Sequence, residues 1–272
     1  MNNLTLDKVL RKAKKIATSN RAIVVYATIV LILVWQLFAS TTNAFVMPSP
    51  FSTTDANGFE RDGVFITFFR LIQTQTFFAH LRATLWRVFF SFIISFSVAA
   101  LLAVLSTINK VEYALKPIIN VLIALPVVVI AVLMLRFFSR ETAPIFVGFL
   151  LIFPLCYEGV LSAVKGVDKK VLEMSKVFNV PPPRRIPTIY IFSVMPHIIS
   201  TAKVATLMNL KAIVSAEVII NPVYGIGQII FLHNQVIQVT HVFAWALVVI
   251  ILSFAIAFAF DLVKKFACRW QA

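Results

Sequence analysis

Residues 23–39, 88–108, 118–135, 143–164 and 242–262 form predominantly apolar runs in a chain of 272 residues. A run of roughly 18 or more such residues, wound as a helix, can cross the hydrocarbon layer of a membrane, and in water it would have no polar face to solvate. A sixth run, 198–220, is interrupted by Lys203, Lys211 and Glu217. Composition agrees: 60% of residues are hydrophobic, 13% are charged and the mean hydropathy is +0.92, well beyond an ordinary globular domain. The pattern predicts an all-α membrane protein with six transmembrane helices.

A formal net charge of +14 raises the question of a nucleic-acid partner, and the placement of the 25 basic residues answers it. Lys8, Arg11, Lys12, Lys14, Lys15 and Arg21 precede the first run, and Lys110 and Lys116 lie between the second and third. Lys165, Lys169, Lys170, Lys176, Arg184 and Arg185 lie between the fourth and fifth, and Lys264, Lys265 and Arg269 follow the last. The opposite segments are poorer in Lys and Arg, and 221–241 has none. Basic residues are retained on the cytoplasmic side, so both termini are expected in the cytoplasm and no nucleic acid is expected as a partner. The chain then divides into a basic cytoplasmic N-terminus (1–22), a first span (23–39), an external segment with an amphipathic helix (40–84), a five-helix core (85–262) with a cytoplasmic loop at 165–196, and a cytoplasmic tail (263–272). The opening has the order of a signal peptide, but its basic stretch is long and the run approaches spanning length, so an uncleaved anchor is expected.

In the external segment, Phe65, Phe68, Phe69 and Ile72 follow a helical apolar spacing that continues to Phe78, suited to a helix lying on the membrane or on the bundle. Pro126 interrupts the third run and frees a backbone carbonyl, which allows a bend; such bends line transport paths and also occur in purely structural spans. Cys156 and Cys268 lie apart, which supports neither a disulfide framework nor a metal cluster. The four histidines are scattered, and the chain has no phosphate-cradling glycine loop and no nucleophile-base set. No metal, cofactor or catalytic residue is expected.

The loop at 165–196 carries the most information. Asp168 is placed to cap a helix whose continuation puts Val171, Met174 and Phe178 on one face, with Leu172 and Ser175 beside them and Glu173 elsewhere. Asn179 is a residue type that tolerates the left-handed conformation ending helices, and Pro181 to Pro183 prevent the helix from resuming. Such a helix either lies flat on anionic lipid or docks its apolar face in a groove of a cytoplasmic partner.

The stretch "VLEMSKVFNV" followed by "IYIFSVMPHI" resembles the cytoplasmic signature of bacterial ATP-binding-cassette importer permeases. Glu173, Met174 and Ser175 fall on that signature's Glu-Ala-Ala triplet and Asn179 on its glycine, while Phe192 replaces a usual proline and Pro196 keeps the next. "MPSP" at 47–50, "FFAHLRATLWRVFFSF" at 77–92, "ALKPIINVLIALP" at 114–126 and "SAEVIINPVYGIG" at 215–227 are similar, in order and spacing, to the nitrate, sulfonate and taurine permease subfamily, whose relatives also serve thiamine precursors and riboflavin. The departures are mostly lost glycines in the second and third spans, such as at Ser91 and Phe92, so packing there is expected to be looser or differently arranged. The resemblance implies the type I importer permease fold in a bacterial inner membrane and a second permease copy. It also implies a dimer of cytoplasmic ATPases that holds the ATP and Mg, and an extracytoplasmic substrate-binding protein. Asp168, Val171, Leu172, Glu173, Met174, Ser175, Phe178 and Asn179 would form the helix that couples to the ATPase.

A lysine at midspan costs roughly 2.5 to 3.5 kcal/mol to insert, so Lys211 is not expected to face lipid. Lys203, Leu207, Lys211 and Ser215 share a helical stripe; Lys203, near the cytoplasmic edge, can extend its ammonium to water, and Lys211, Ser215, Asn209 and Pro126 are candidates for the lining of a path that favours a polar or anionic solute. The other reading is that a structural partner neutralises Lys211; Glu217 lies about 120° round the same helix and suits that role only across a dimer. Glu217 is expected to accept hydrogen bonds from the turn made by Pro222, Gly225 and Gly227. Two other functions remain: a secondary transporter working without ATP, which would need no ATPase plug, and a non-transporting membrane anchor.

Overall fold

The computed structural model describes residues 20–42, 46–54, 60–108, 110–181 and 189–269. The basic residues from Lys8 to Lys15, Pro182, Pro183, Arg184 and Arg185 lie outside the described residues. After α1 (Asn20–Thr41) comes a two-residue hairpin, β1 (Thr53–Thr54) paired antiparallel with β2 (Glu60–Arg61), and then α2 (Val64–Leu71). The remaining helices are α3 (Gln75–Ile108), α4 (Val111–Ala124), α5 (Val127–Phe137), α6 (Ala143–Lys165), α7 (Lys169–Val177), α8 (Ile191–Ile220), α9 (Ile226–Gln235) and α10 (Val239–Ala267).

Four of these, in α1, α3, α6 and α10, are long and apolar enough to cross a membrane, and α4 with α5 makes a fifth if the bent pair is one span. The expected sixth, α8, is 30 residues long and runs through the same bundle. The third run is broken rather than gently kinked: α4 and α5 meet at 104°. Proline disfavours helix in the residue before it, and here Leu125 is extended at φ −73°, ψ 125° while Pro126 itself opens α5 at φ −63°, ψ 141°. The second helix, by contrast, starts earlier than the apolar run. Phe77 and Phe78 belong to α3, so the amphipathic segment expected to run from Phe65 to Phe78 is two helices, separated where Thr74 accepts the Phe77 N–H.

The core lies around α6. Ile152, Phe153, Cys156, Tyr157 and Val160 pack with Ala99 and Ala103 of α3, Ile119 of α4 and Ala205 of α8, while Ala143 and Val147 meet Ile130 and Ala131 of α5 and Ala216 and Ile220 of α8. Small residues set the spacing of α6 against α8. A Cβ on Gly148 would lie 2.5 Å from Asn209 Oδ1 and 2.8 Å from Ile213 Cδ1, and one on Gly159 would run into Thr201. Ser91 is buried and accepts a hydrogen bond from Asn209 Nδ2 at 2.7 Å, a polar link between α3 and α8. The first helix is peripheral and is tied in by Trp35, whose Nε1 donates to Pro48 O at 3.1 Å and whose ring meets Phe65 and Phe243.

Overpacking a tight helix crossing costs about 1 to 3 kcal/mol. Gly148→Val is therefore expected to lower the thermal midpoint of the detergent-solubilised protein by several degrees, and Gly159→Val to do the same, whereas Gly166→Ala, at the end of α6, leaves it nearly unchanged. Thermal unfolding followed by size-exclusion recovery checks this.

Candidate functional site: a buried ion pair, an open helix face and a capped surface helix

The final turns of α8 place Glu217 with no exposure at all, and one helical face of α3 brings Thr84 and Arg87 against it and His80 against the turn that follows. Their spacing of four and three residues stacks them along a single stripe. Arg87 Nη1 donates to Glu217 Oε1 at 2.7 Å and to Tyr224 O at 2.6 Å. Its other arm reaches Glu141: Nη2 donates to Oε2 at 2.6 Å and Nε donates to the backbone O at 3.1 Å. Thr84 Oγ1 lies 3.0 and 2.9 Å from the two Glu217 oxygens as donor and accepts the Ile226 N–H at 2.8 Å. Gly227 N donates to Glu217 Oε2 at 2.9 Å, and Val223 N donates to Glu141 Oε1 at 2.7 Å. His80 Nδ1 sits 3.1 Å from Gly225 N and 3.0 Å from Gly225 O, accepting from the one or donating to the other according to its tautomer.

The turn between α8 and α9 is shaped by this carboxylate. Asn221 adopts the left-handed conformation at φ 53° and closes α8 by donating its N–H to Glu217 O at 2.9 Å. At Gly225 a Cβ would lie 2.5 Å from the Glu217 carboxyl carbon, and at Gly227 one would lie 2.7 Å from Glu217 Cβ. Only glycine leaves room for the backbone to approach so closely. Arg87, Thr84, His80 and Glu141 were not among the residues singled out from sequence. The signal for the first three was present in "FFAHLRATLWR", whose polar residues recur on one helical stripe; Glu141 comes from the loop before α6, and nothing in its sequence neighbourhood points to this contact.

The other candidates separate into two places. Lys211 and Ser215 are exposed on α8 beside Val204 and Met208, and Lys211 has no ion-pair partner among the described residues. Glu217 does not neutralise it within the chain, because Arg87 takes that carboxylate. Lys203 donates to both carboxylate oxygens of Asp261 at 2.7 and 2.8 Å, joining α8 to α10. Asn209 is fully buried, with Nδ2 donating to Val88 O at 2.9 Å and to Ser91; it faces α3 and not the stripe of Lys211. Pro126 is exposed at the break between α4 and α5.

At the opposite end of α6 and α8 lies α7. Asp168 Oδ1 accepts the Lys170 N–H at 2.9 Å, Asn179 is left-handed at φ 51°, and Val180 N donates to Ser175 O at 2.9 Å, which closes the helix. Leu172 packs on Val167 and Val194, and Ser175 is buried. Met174, Val177 and Phe178 are 57, 78 and 73% exposed. Glu173 is exposed as well. No group of His, Cys, Asp or Glu among the described residues is placed to hold a metal.

Residues 95–267 match the family described as the binding-protein-dependent transport system inner membrane component, and the chain belongs to that family. It is thus a multi-pass protein of the bacterial inner membrane and a transport subunit rather than an enzyme, and the family implies an ATPase and a substrate-binding protein as partners in general. The chain is 23% identical over 219 residues, 79% of its length and 75% of the relative, to the putative aliphatic sulfonates transport permease protein SsuC of Bacillus subtilis (strain 168). It is 24% identical over 241 residues, 85% of its length and 91% of the relative, to a probable ABC transporter permease protein of Haemophilus influenzae. Two inward-facing structures of the MetNI methionine ABC transporter share the fold, with TM-scores of 0.56 and 0.58 at 19% identity; they cover 74 and 72% of this chain and 96 and 95% of theirs.

Removing one partner of a buried ion pair costs about 3 to 5 kcal/mol because the other charge is stranded. Arg87→Met and Glu217→Gln are each expected to reduce the recovery of folded protein severely. The double variant is expected to recover part of that loss, which thermal unfolding of the three variants in detergent measures.

Proposed function

We propose that this chain forms the translocation path of an ATP-driven importer for a small polar or anionic solute and couples to the cytoplasmic ATPase through α7. The observation that carries this reading is the exposed apolar face of α7, Met174, Val177 and Phe178, on a helix that is capped at both ends. A helix so short draws little stability from its own hydrogen bonds, so its caps and the Leu172 contact hold it in place for a partner. Docking in an ATPase groove removes that apolar surface from water, and closure of the ATPase pair on ATP and Mg then moves α7 with it. Orientation follows: the α7 end faces the cytoplasm, and the Arg87–Glu217 end, with the α8–α9 turn and α9, faces outward.

For the solute, the exposed stripe of Lys211 and Ser215 on α8 supports a path lining when a second copy of the chain packs across it. A lysine ammonium in that position attracts anions, and the sulfonate transport named for the Bacillus subtilis relative supports the same substrate class. Asn209 acts beside the path by holding α8 against α3, and Pro126 by breaking the third span. Glu217, Gly225 and Gly227 form the structural corner of the outer gate.

Extraction of the tagged protein in mild detergent, with mass spectrometry of what co-purifies, is expected to recover an ATP-binding-cassette ATPase in stoichiometric amount; an intact bundle without it overturns the coupling role. Truncating an exposed aromatic anchor costs 2 kcal/mol or more, roughly thirtyfold in affinity, so Phe178→Ala is expected to deplete the co-purified ATPase while the bundle stays folded. Lys211→Met is expected to lower uptake of an anionic solute with ATPase recovery unchanged; normal uptake and affinity would remove Lys211 from the path.

A further inference from the structure

On the side of α3 turned away from the ion-pair network, two open clefts share Arg82 and Trp86. One, of about 520 Å³, is completed by Ala79, Ala83 and, from the α8–α9 turn, Tyr224. The other, of about 460 Å³, continues along Leu85 and Phe89. Together they make a site that is polar at one end and apolar at the other.

Arg82 supplies the charge. It is exposed and has no ion pair or hydrogen bond among the described residues. It lies about 140° round the helix from Arg87 and about 160° from Thr84, so it points away from the network. The carboxylates of that network are taken in any case: Glu217 and Glu141 bind Arg87 and the N–H groups of Gly227 and Val223. Two neutral donors stand with Arg82. The Tyr224 hydroxyl and the Trp86 indole N–H have no hydrogen bond among the described residues, and both side chains are exposed. The Tyr224 ring is held edge-on to His80, with centroids 5.5 Å apart, and its backbone O accepts from Arg87, so a fixed turn presents the hydroxyl. Ala79 and Ala83 leave the dent between these larger side chains.

The level of the clefts selects the occupant. The 34 residues of α3 span about 51 Å at 1.5 Å per residue, against a hydrocarbon layer of about 30 Å. Its opening turns therefore stand outside the hydrocarbon while the run from Val88 lies within it. Tryptophan concentrates at that boundary, and Arg82, one turn beyond Trp86, reaches the headgroup layer. In the other direction Leu85, Phe89 and Ile93 carry the stripe into the acyl region, with Phe89 and Ile93 exposed. A soluble anion has no use for that apolar half, and an acidic protein could not follow it into hydrocarbon. We propose that this face binds an anionic phospholipid, its phosphodiester on Arg82 with the Tyr224 hydroxyl and the Trp86 N–H donating, and one acyl chain along Leu85, Phe89 and Ile93. The site does not depend on the transport reading.

The full chain, with whatever subunits co-extract, is delipidated and returned to phosphatidylcholine nanodiscs containing phosphatidylglycerol. Native mass spectrometry of the protein released from the discs counts the phosphatidylglycerol that stays bound. The wild type is expected to retain it about tenfold more tightly than Arg82→Gln, the loss of one charge-assisted contact, with Arg82→Lys between them. Ala83→Leu, which fills the dent and keeps the charge, is expected to weaken retention too. Arg136→Gln, which removes another exposed arginine, on α5 and outside the clefts, is expected to match the wild type. Equal retention by wild type and Arg82→Gln, the result if a second copy or another subunit covers this face, overturns the proposal. So does an equal loss in Arg136→Gln, which would mark a general attraction of anionic lipid to positive charge. Glycerophosphoglycerol, the headgroup without its chains, is expected to compete only weakly; competition at the lipid's own affinity would make this a soluble-anion site and remove the lipid. Should Arg82→Gln fail to assemble, Ala83→Leu is read in its place.

Discussion

A guanidinium and a carboxylate 2.7 Å apart, with side chains 4 and 0% exposed, have no water to fall back on, and every element around them is arranged to complete their hydrogen bonds. Desolvating two such charges is repaid only when geometry is good and the remaining lone pairs are filled. Here Thr84 and the Gly227 N–H fill those of Glu217, and Glu141 and Tyr224 O take the other donors of Arg87. The demand explains features that look unrelated in sequence: two glycines spaced by one residue, a left-handed Asn221, a threonine four residues from a histidine, and a glutamate in a loop. One end of α3, α6, α8 and α9 is thereby tied together by charge.

The other end is held differently. There α7 rests on Leu172 against Val167 and Val194, with caps at Asp168 and Asn179, and its larger apolar side chains face outward. A bundle tied by charge at one end and carrying a lightly held helix at the other fits the coupling role proposed above for α7. The break at Pro126 adds to this, since α5 packs on α6 and α8 independently of the axis of α4.

What could be read beforehand follows the range of the interactions involved. The apolar runs gave the bundle because hydrocarbon tolerates no unsatisfied backbone, and the ends of α7 were legible because capping is decided within a few residues by Asp168 and Asn179. The break between α4 and α5 was legible only as a bend; proline marks the place, while its angle is set by how α4 and α5 find separate grooves. Glu217 was readable as a partner for its own turn, but Arg87, one residue before the apolar run at 88–108, carries no local sign of the pairing. Its role depends on α3 extending back to Gln75, so that a residue assigned to the edge of the span lies within the bundle. The Lys203–Asp261 pair was illegible for a similar reason: Asp261 follows by 58 residues, and no local pattern announces the contact.

The division of α8 into two faces is what reconciles Lys203, Lys211 and Glu217 with one membrane helix. Asn209, Leu210, Ile213, Ala216, Glu217 and Ile220 are buried, and along the other side Val204, Met208, Lys211 and Ser215 are exposed. Lys203 is neutralised by Asp261 on α10 and Glu217 by Arg87 on α3, each satisfied by a different neighbour inside the chain. Lys211 alone of the three lies on the open face, flanked by Met208 and Ser215, with no ion-pair partner among the described residues. In hydrocarbon that position would carry the full cost of an unpaired cation. Under the function proposed above, a second copy of the chain across this face and the water of the path would remove that cost.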